Sequence, residues 1–413
     1  MQSSSKMPSS GILLVDKPKG VTSHDVVSFA RGLLHTKRVG HAGTLDPMAT
    51  GLLILGFGNA TRLLNYLLGH NKTYEAVIRL GESTNTDDAD GNIIASAKSE
   101  NTILSSSNNA NIDEILKELR VVIEKNFTGS IMQTPTSFSA IKVNGVRAYD
   151  LAREGKDVHL EPREVFIYDF SLLDAHFSVG VSGAKVIDVR ASVSCSSGTY
   201  IRALARDLGR ILGVGGHLVS LRRTRIGDFS IEDSRVLKLK SVIRTFTNKN
   251  GVTQTRAKAV LDDSYYSQGS CESQAAGDSS VAGDSPSALP ASSPLENTLN
   301  QRLLSMFESA KLTMQTVEVS ENQAKDLRFG RKITISAISA KDATKNATKN
   351  AIAYVKATKD EQNDVVAVLE TAEKSQATAS SSSTLFKSQE KIEKIEKNTN
   401  QIEAKPIVVF VQS

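Results

Sequence analysis

The 413-residue chain has room for two domains plus some unstructured sequence, and its 39% hydrophobic content is low enough that part of it lies outside any core. Its two cysteines, Cys195 and a second, Cys271, in a Ser/Gly-rich stretch, argue against a structural disulfide and for a reducing, cytoplasmic setting. The apolar run 52–57 is far too short to span a bilayer, the first ten residues contain no hydrophobic signal region, and the net charge of +5 is mild.

In chain order, residues 11–15 read as a short strand. Ser23 then caps a helix whose positions Val26, Val27, Ala30, Leu33 and Leu34 fall on one face. Residues 74–80 alternate cleanly, with Tyr74, Ala76, Ile78 and Leu80 on one side, as a half-buried strand requires. Ile112, Ile115, Leu116, Leu119, Val122 and Ile123 follow helical spacing; 165–172 and 185–193 read as strands, and 200–212 as a helix. Strands and helices interleave without a strict βαβ rhythm, so the predicted fold is α/β (α+β), a mixed sheet packed with helices.

Residues 1–10 are expected to be disordered, 11–250 to form one folded domain, and 251–297, rich in Ser, Ala, Gly and Pro, to be a low-complexity linker. A small β-rich second domain is expected over 298–413, with inserts at about 338–350 and 371–404 separating the strand-like runs 351–355, 364–369 and PIVVFV.

Chemistry concentrates in the run 40–51, GHAGTLDPMATG, where closely spaced glycines permit sharp turns. Pro47 pushes Asp46 out of helical geometry, which projects its carboxylate from a loop followed by an apolar strand. By itself, Asp-Pro also serves simply to start a turn. A second signal is Arg202. With Thr199 as cap it occupies the third helical position, where a cation opposes the helix dipole at roughly 0.3–1 kcal/mol and calls for an anionic partner. Arg206 and Arg210, on the same face, read as a solvated stripe. The basic excess is local: residues 181–240 hold 11 Lys/Arg against 5 Asp/Glu, and Arg222, Arg223 and Arg225 suit phosphate contacts. The histidines and cysteines show no metal-ligand spacing and no phosphate-binding glycine motif is present, so no cofactor and no metal are expected.

These residues sit in motifs that resemble the bacterial tRNA pseudouridine-55 synthase family (TruB type). The likeness runs through GILLVDKPKGVTSHDV at 11–26, GHAGTLDPMATGLLILGFGNATRLL at 40–64, KTYEAVIRLG at 72–81 and TDDADG at 86–91. It continues through FSAIKVNGVRAYDLAREG at 138–155, CSSGTYIRALARDLG at 195–209 and GGHLVSLRRTRIGDF at 215–229. Seven motifs in the family's order over about 220 residues make the match highly specific. Phe138 and Thr136 depart from the family's frequent Tyr and Pro, and the C-terminal likeness, VEVSENQAKDLRFGRKI, DVVAVLE and PIVVF, is interrupted by the two inserts.

The resemblance implies the pseudouridine synthase fold, a mixed, largely antiparallel sheet with an active-site cleft, and a small PUA-like C-terminal domain. It implies a substrate, uridine 55 in the T loop of tRNA, isomerised by a stand-alone, monomeric enzyme with no obligate protein partner and no membrane association. By position, Asp46 matches the nucleophile, Arg202 the arginine paired with it, which stabilises the ionised carboxylate, and Tyr74 the aromatic that stacks on the uracil and assists loss of the C5 proton. His41 matches a residue that holds the flipped base, and Lys17, Tyr200, Arg222, Arg223 and Arg225 are carried over as substrate contacts. The competing readings are a T-loop RNA-binding chaperone, a synthase acting on other RNA, and a synthase directed by a guide RNA.

Overall fold

The computed structural model describes residues 7–96, 112–143, 145–156, 158–247, 251, 253–265, 294–336, 350–355, 364–371 and 401–410. Positions 1–6 of the expected N-terminal tail, 266–293 of the expected linker and most of both inserts lie outside the described residues.

From the N-terminus the elements are β1 (Gly11–Lys17), α1 (Ser23–Leu33), β2 (Val39–His41), β3 (Thr50–Phe57), α2 (Leu64–Leu68), β4 (Lys72–Leu80), β5 (Glu82–Thr84), β6 (Ile93–Ser96), α3 (Ile112–Asn126) and β7 (Gly129–Gln133). Then come β8 (Lys142–Val143), β9 (Val146–Arg147), α4 (Ala148–Arg153), β10 (Arg163–Val179), β11 (Lys185–Cys195), α5 (Ile201–Ile211), β12 (Gly216–Ile226), β13 (Phe229–Ser230), β14 (Leu237–Thr247) and β15 (Thr253–Leu261). The remainder is α6 (Pro294–Arg302), α7 (Met306–Thr313), β16 (Gln315–Glu318), α8 (Glu321–Arg328), β17 (Ile333–Ser336), β18 (Asn350–Val355), β19 (Asp364–Thr371) and β20 (Gln401–Val409).

One mixed sheet runs β15-β14-β1-β3-β12-β4-β11-β10-β7, with β2 on β3 and β13 on β12. β1 pairs with β14, and β3 with β12, in parallel; the other neighbours are antiparallel. The sheet is covered on both faces at its centre, which is why β1 and β3 are continuous apolar runs rather than alternating ones. Leu13 and Val15 pack with Val26, Val27 and Ala30 of α1, while Ile12 and Leu14 face the opposite way toward Leu64 and Leu67 of α2. β4 keeps its alternation: Tyr74, Ala76, Ile78 and Leu80 share a core with Leu119 and Ile123 of α3 and with Leu204 and Leu208 of α5. A Cβ on Gly209 would stand 2.2 Å from the carbonyl carbon of Gly215, so α5 lies against β12 at a distance only glycine permits.

A five-stranded sheet, β16-β18-β19-β20-β17, forms separately with Ala324 and Leu327 of α8 in its core. Among the described residues no helix is long and apolar enough to cross a membrane.

The structure departs from the sequence reading in several places. Thr22, not Ser23, caps α1: its side chain accepts from the Asp25 N–H while Asp25 reaches back to the Thr22 N–H. Residues 253–265, counted with the linker, form β15 and a 3-10 turn, and β15 pairs with β14 over its whole length. Residues 294–302, which straddle the expected start of the second domain, form α6, and its Leu299 packs into the core around α1. Just after it, Leu304 exchanges backbone hydrogen bonds with Ile12 at 2.9 Å each way. The margins of the two inserts, Asn350, Thr371 and 401–404, belong to strands.

Candidate active site

The loop between β2 and β3 carries Asp46, and its shape is dictated by side chains reaching it from elsewhere. A short turn closes with the Ala49 N–H donating to the Asp46 carbonyl at 3.1 Å. Ser23, freed from capping, holds Leu45 on both sides: the Leu45 N–H donates to Ser23 Oγ at 2.8 Å, and that hydroxyl donates to the Leu45 carbonyl at 3.0 Å. Gly51, at φ 102°, runs so close to β12 that a Cβ would stand 2.3 Å from the Arg223 carbonyl oxygen.

Three buried cations lie beneath and beside this loop. Lys17, fully buried, donates from Nζ to the carbonyls of Ala49 (2.6 Å), Pro18 (3.0 Å) and Pro47 (3.3 Å). Arg223 donates from Nε to the Leu52 carbonyl at 2.8 Å and from Nη2 to the Gly43 carbonyl at 3.0 Å. Lys72 donates to the carbonyls of His70 at 2.7 Å and Leu68 at 2.9 Å. Burial pulls both lysine ammoniums down to about 8. Backbone carbonyls and, for Arg223, the Tyr74 phenol make these contacts rather than carboxylates, so the positive charge under the loop is only partly screened.

Facing the loop, α5 presents Arg202, 5% exposed, whose Nε lies 3.0 Å from Oδ2 of half-exposed Asp46. Its Nη1 stands 3.3 Å from Oδ2 of buried Asp88 and donates to the Thr86 carbonyl at 3.0 Å, and Nη2 donates to the Phe138 carbonyl at 2.9 Å. The helix starts one residue later than expected: Tyr200 is the cap and Arg202 the second helical residue, while Thr199 Oγ1 donates instead to the Ser196 carbonyl. Gln133, buried on β7, substitutes for a side-chain cap by accepting from the Tyr200 N–H at 2.8 Å and donating to the Tyr200 carbonyl at 3.1 Å. A cation in the first turn opposes the helix dipole; the carboxylates of Asp46 and Asp88 offset it.

Arg206, one turn on, is not the solvated residue expected. It pairs with Asp87 at 3.1 Å and donates to the Thr134 carbonyl at 2.8 Å, because the 86–88 loop folds down onto α5. Burial, opposed by Arg206, pushes the Asp87 carboxyl up. Arg210 does remain exposed.

Tyr74 is buried within electrostatic reach of Asp46, and burial pushes its phenol up, so the ring is neutral at physiological pH. His41 ends β2 half-buried; burial pulls its imidazole down, helped by Arg223 and His24, and among the described residues its Nδ1 makes no hydrogen bond. Tyr200 is half-buried within electrostatic reach of Asp46, its phenol likewise pushed up by burial.

The arginines read as one phosphate patch separate into three environments. Arg223 points into the protein, as alternation along β12 demands, and Lys17 is equally enclosed, so neither reaches the surface where RNA would lie. Arg222 faces outward but grips Asp16 bidentately at 2.7 and 3.0 Å. A register shift between Arg223 and Arg225 turns Arg225 into solvent. A cavity of about 660 Å³, lined by Asp16, Arg222, Glu232 and Arg302 among others, contains none of Asp46, Tyr74 and Arg202.

The family described as TruB family pseudouridylate synthase (N terminal domain) matches residues 31–201, and tRNA pseudouridylate synthase B C-terminal domain matches 202–263. The chain is 44% identical to tRNA pseudouridine synthase B of Bifidobacterium longum (strain NCC 2705), over 78% of this chain and 88% of that protein. It is 51% identical to tRNA pseudouridine synthase B of Paenarthrobacter aurescens (strain TC1), over 55% of this chain and 68% of that one. The structure of an H/ACA RNP bound to a substrate RNA containing 2'-deoxyuridine shares the fold at a TM-score of 0.52 and 20% identity, covering 100% of this chain and 93% of that one.

Proposed function

The chain belongs to the TruB family of pseudouridylate synthases, tRNA-modifying isomerases, and on that footing we propose that it converts uridine 55 in the T loop of tRNA to pseudouridine with Asp46 as its catalytic carboxylate. The observation that carries this reading is the Asp46–Arg202 pair at 3.0 Å, with Asp88 on the far side of the same guanidinium.

The reaction breaks the N1–C1′ bond and makes a C5–C1′ bond; the C5 proton is lost and N1 gains one, so atoms and electrons balance without oxidant, reductant or cofactor. Asp46 attacks C1′ or C6 to release the base, and Arg202 holds the carboxylate in line while compensating its charge. A flipped uracil stacks on the Tyr74 ring, a contact worth about 1–3 kcal/mol, which offsets much of the few kcal/mol that flipping requires. Being neutral, the Tyr74 phenol takes up the C5 proton only through its minor phenolate fraction, so that role predicts a rate rising with pH. The unpartnered Nδ1 of His41 is available to the displaced nucleotide, and Tyr200, near Asp46, offers it a further contact. Exposed Arg225 and half-exposed Arg222 serve the backbone; Lys17 and Arg223 act by positioning the Asp46 loop. The five-stranded C-terminal sheet is read as the PUA-like module.

The test is to incubate the purified chain with an unmodified tRNA transcript, without cofactor or guide RNA, and to map pseudouridine at single-nucleotide resolution. A single product at position 55, lost with Asp46→Asn, is the expected result. Product at another position would overturn the substrate assignment, and binding without product would favour a chaperone role.

A further inference from the structure

β14 pairs with β1 only through Leu237 and Lys238, opposite Val15 and Asp16, and runs parallel to it. It therefore leaves the sheet at the end where Lys17 meets Gly51, which is the end carrying the Asp46 loop. Nine further residues of β14, paired with β15, extend at about 3.3 Å each, so the hairpin projects up to roughly 30 Å beyond the sheet on the active-site side. Its root rests against α1, where Lys258 pairs with Asp25 at 2.9 Å, and Thr245–Thr255 and Thr247–Thr253 hydroxyl contacts, both 3.1 Å, tie the outer strands together.

Residues 237–261 contain six Lys/Arg and no Asp or Glu. At the root, Lys240 and Lys258 are neutralised by Asp263 and Asp25. Farther out, Arg244 stands directly opposite Arg256 in the antiparallel ladder. Paired residues share a face with Cβ atoms about 4.5–5.5 Å apart, and like charges so placed destabilise a hairpin. Both arginines are exposed, and among the described residues no carboxylate pairs with either. Beside them Phe246, 39% exposed, lies 5.2 Å from the Arg256 guanidinium. Two forced-together guanidiniums and an exposed ring, on an arm reaching past the cleft, need an extended polyanion carrying stackable groups.

We propose that the β14–β15 hairpin is an RNA-binding arm that holds the phosphate backbone of the substrate tRNA outside the catalytic cleft through Arg244 and Arg256. This rests on the reading above only in taking tRNA as the ligand. Each guanidinium displaces counterions from a phosphate, so each contributes to the salt dependence of binding.

The experiment compares the full chain with Arg244→Ala/Arg256→Ala and with Arg244→Lys/Arg256→Lys, measuring tRNA Kd between 50 and 200 mM salt and kcat at saturating tRNA. The alanine pair is expected to raise Kd about tenfold at low salt and to flatten the slope of log K on log salt by about 1.5, with kcat unchanged. The lysine pair should keep most of the slope. An unfolding midpoint equal to or above the parent's checks that the arm is still formed, since the change relieves repulsion. Unchanged Kd and slope in an alanine variant that forms pseudouridine normally would overturn the arm while leaving the isomerase reading intact. Arm-dependent binding by a parent chain that forms no pseudouridine at position 55 would do the reverse.

Discussion

Replacing Arg202 by Met, which keeps the aliphatic stem of the side chain and removes its charge, separates the electrostatic role of this residue from the packing of that stem. Arg202 is 5% exposed and Asp88 8%, so the substitution leaves a buried carboxylate without its cation, at about 3–5 kcal/mol. The carbonyls of Thr86 and Phe138 also lose their donor, each worth about 1–3 kcal/mol if water does not reach them. Against this, removing a cation from the first turn of α5 returns only about 0.3–1 kcal/mol. Where water reaches both carbonyls, the balance is a net destabilisation of about 2–5 kcal/mol. Much of it belongs to stranded Asp88, so Asp88→Asn in the Arg202→Met background should recover about 1–3 kcal/mol, although Asp88→Asn alone is destabilising. Urea unfolding of the four proteins at neutral pH measures the cycle. Additivity within about 0.5 kcal/mol would refute the claim that Asp88 and Arg202 act as one electrostatic unit. Activity should fall in both single variants, and it should not return in the double variant, because Asp46 still lacks its partner.

Asp46→Asn should abolish isomerisation yet leave tRNA affinity nearly unchanged, since the side chain is half-exposed and the loop is held by other residues; residual turnover above a few percent in a product-mapping assay would exclude its catalytic role. Lys17 ionises at about 8 in the fold and near 10.4 unfolded, so between those values the unfolded chain holds the extra proton and stability rises with pH, by up to about 3 kcal/mol from this residue. The unfolding free energy of Lys17→Met should lack that increment between pH 7.5 and 10, and a parallel pH profile would count against burial of a charged lysine. Gly51→Ala, which places a Cβ 2.3 Å from a backbone oxygen at φ 102°, should destabilise by about 3 kcal/mol or more in a denaturant titration. Arg225→Ala should flatten the salt dependence of RNA binding by about 0.7–0.9, whereas Arg223→Ala should act by lowering stability.

Where periodicity and burial coincide, the sequence was a reliable guide. The alternation at 74–80 and the helical spacing at 112–123 reappear as β4 and α3 because each buries one face against a single core. Asp46 was legible as a projecting loop residue, and the misfit cation at the start of α5 correctly pointed to an anionic partner. Other features depend on what the chain meets in space. Adjacent hydroxyls at 22 and 23 made the cap ambiguous; Asp25, three residues beyond Thr22, was the local signal that decides it. Reading Arg222, Arg223 and Arg225 as a patch ignored the period of two in a strand, which buries the middle one. No local pattern marks Lys17 as buried or Gln133 as a surrogate cap, since their partners lie 32 and 67 residues away. β15 has little apolar content to announce it; pairing with β14 recruits it to the sheet.

The bridge between Ile12 and Leu304 also bears on how the protein comes into being. β1 leaves the ribosome before its neighbours β3 and β14 and the backbone of Leu304, the last of which arrives nearly three hundred residues later. Leu63, in the segment before α2, is sealed by Ala310, Ile352, Val365 and Phe410. Contacts of such long range are slow to form, so the nascent chain waits with apolar surface uncovered until β20 and Phe410 are made. A polypeptide stopped at residue 263 would hold every residue of the Asp46–Arg202 site and still lack the lid over its own first strand.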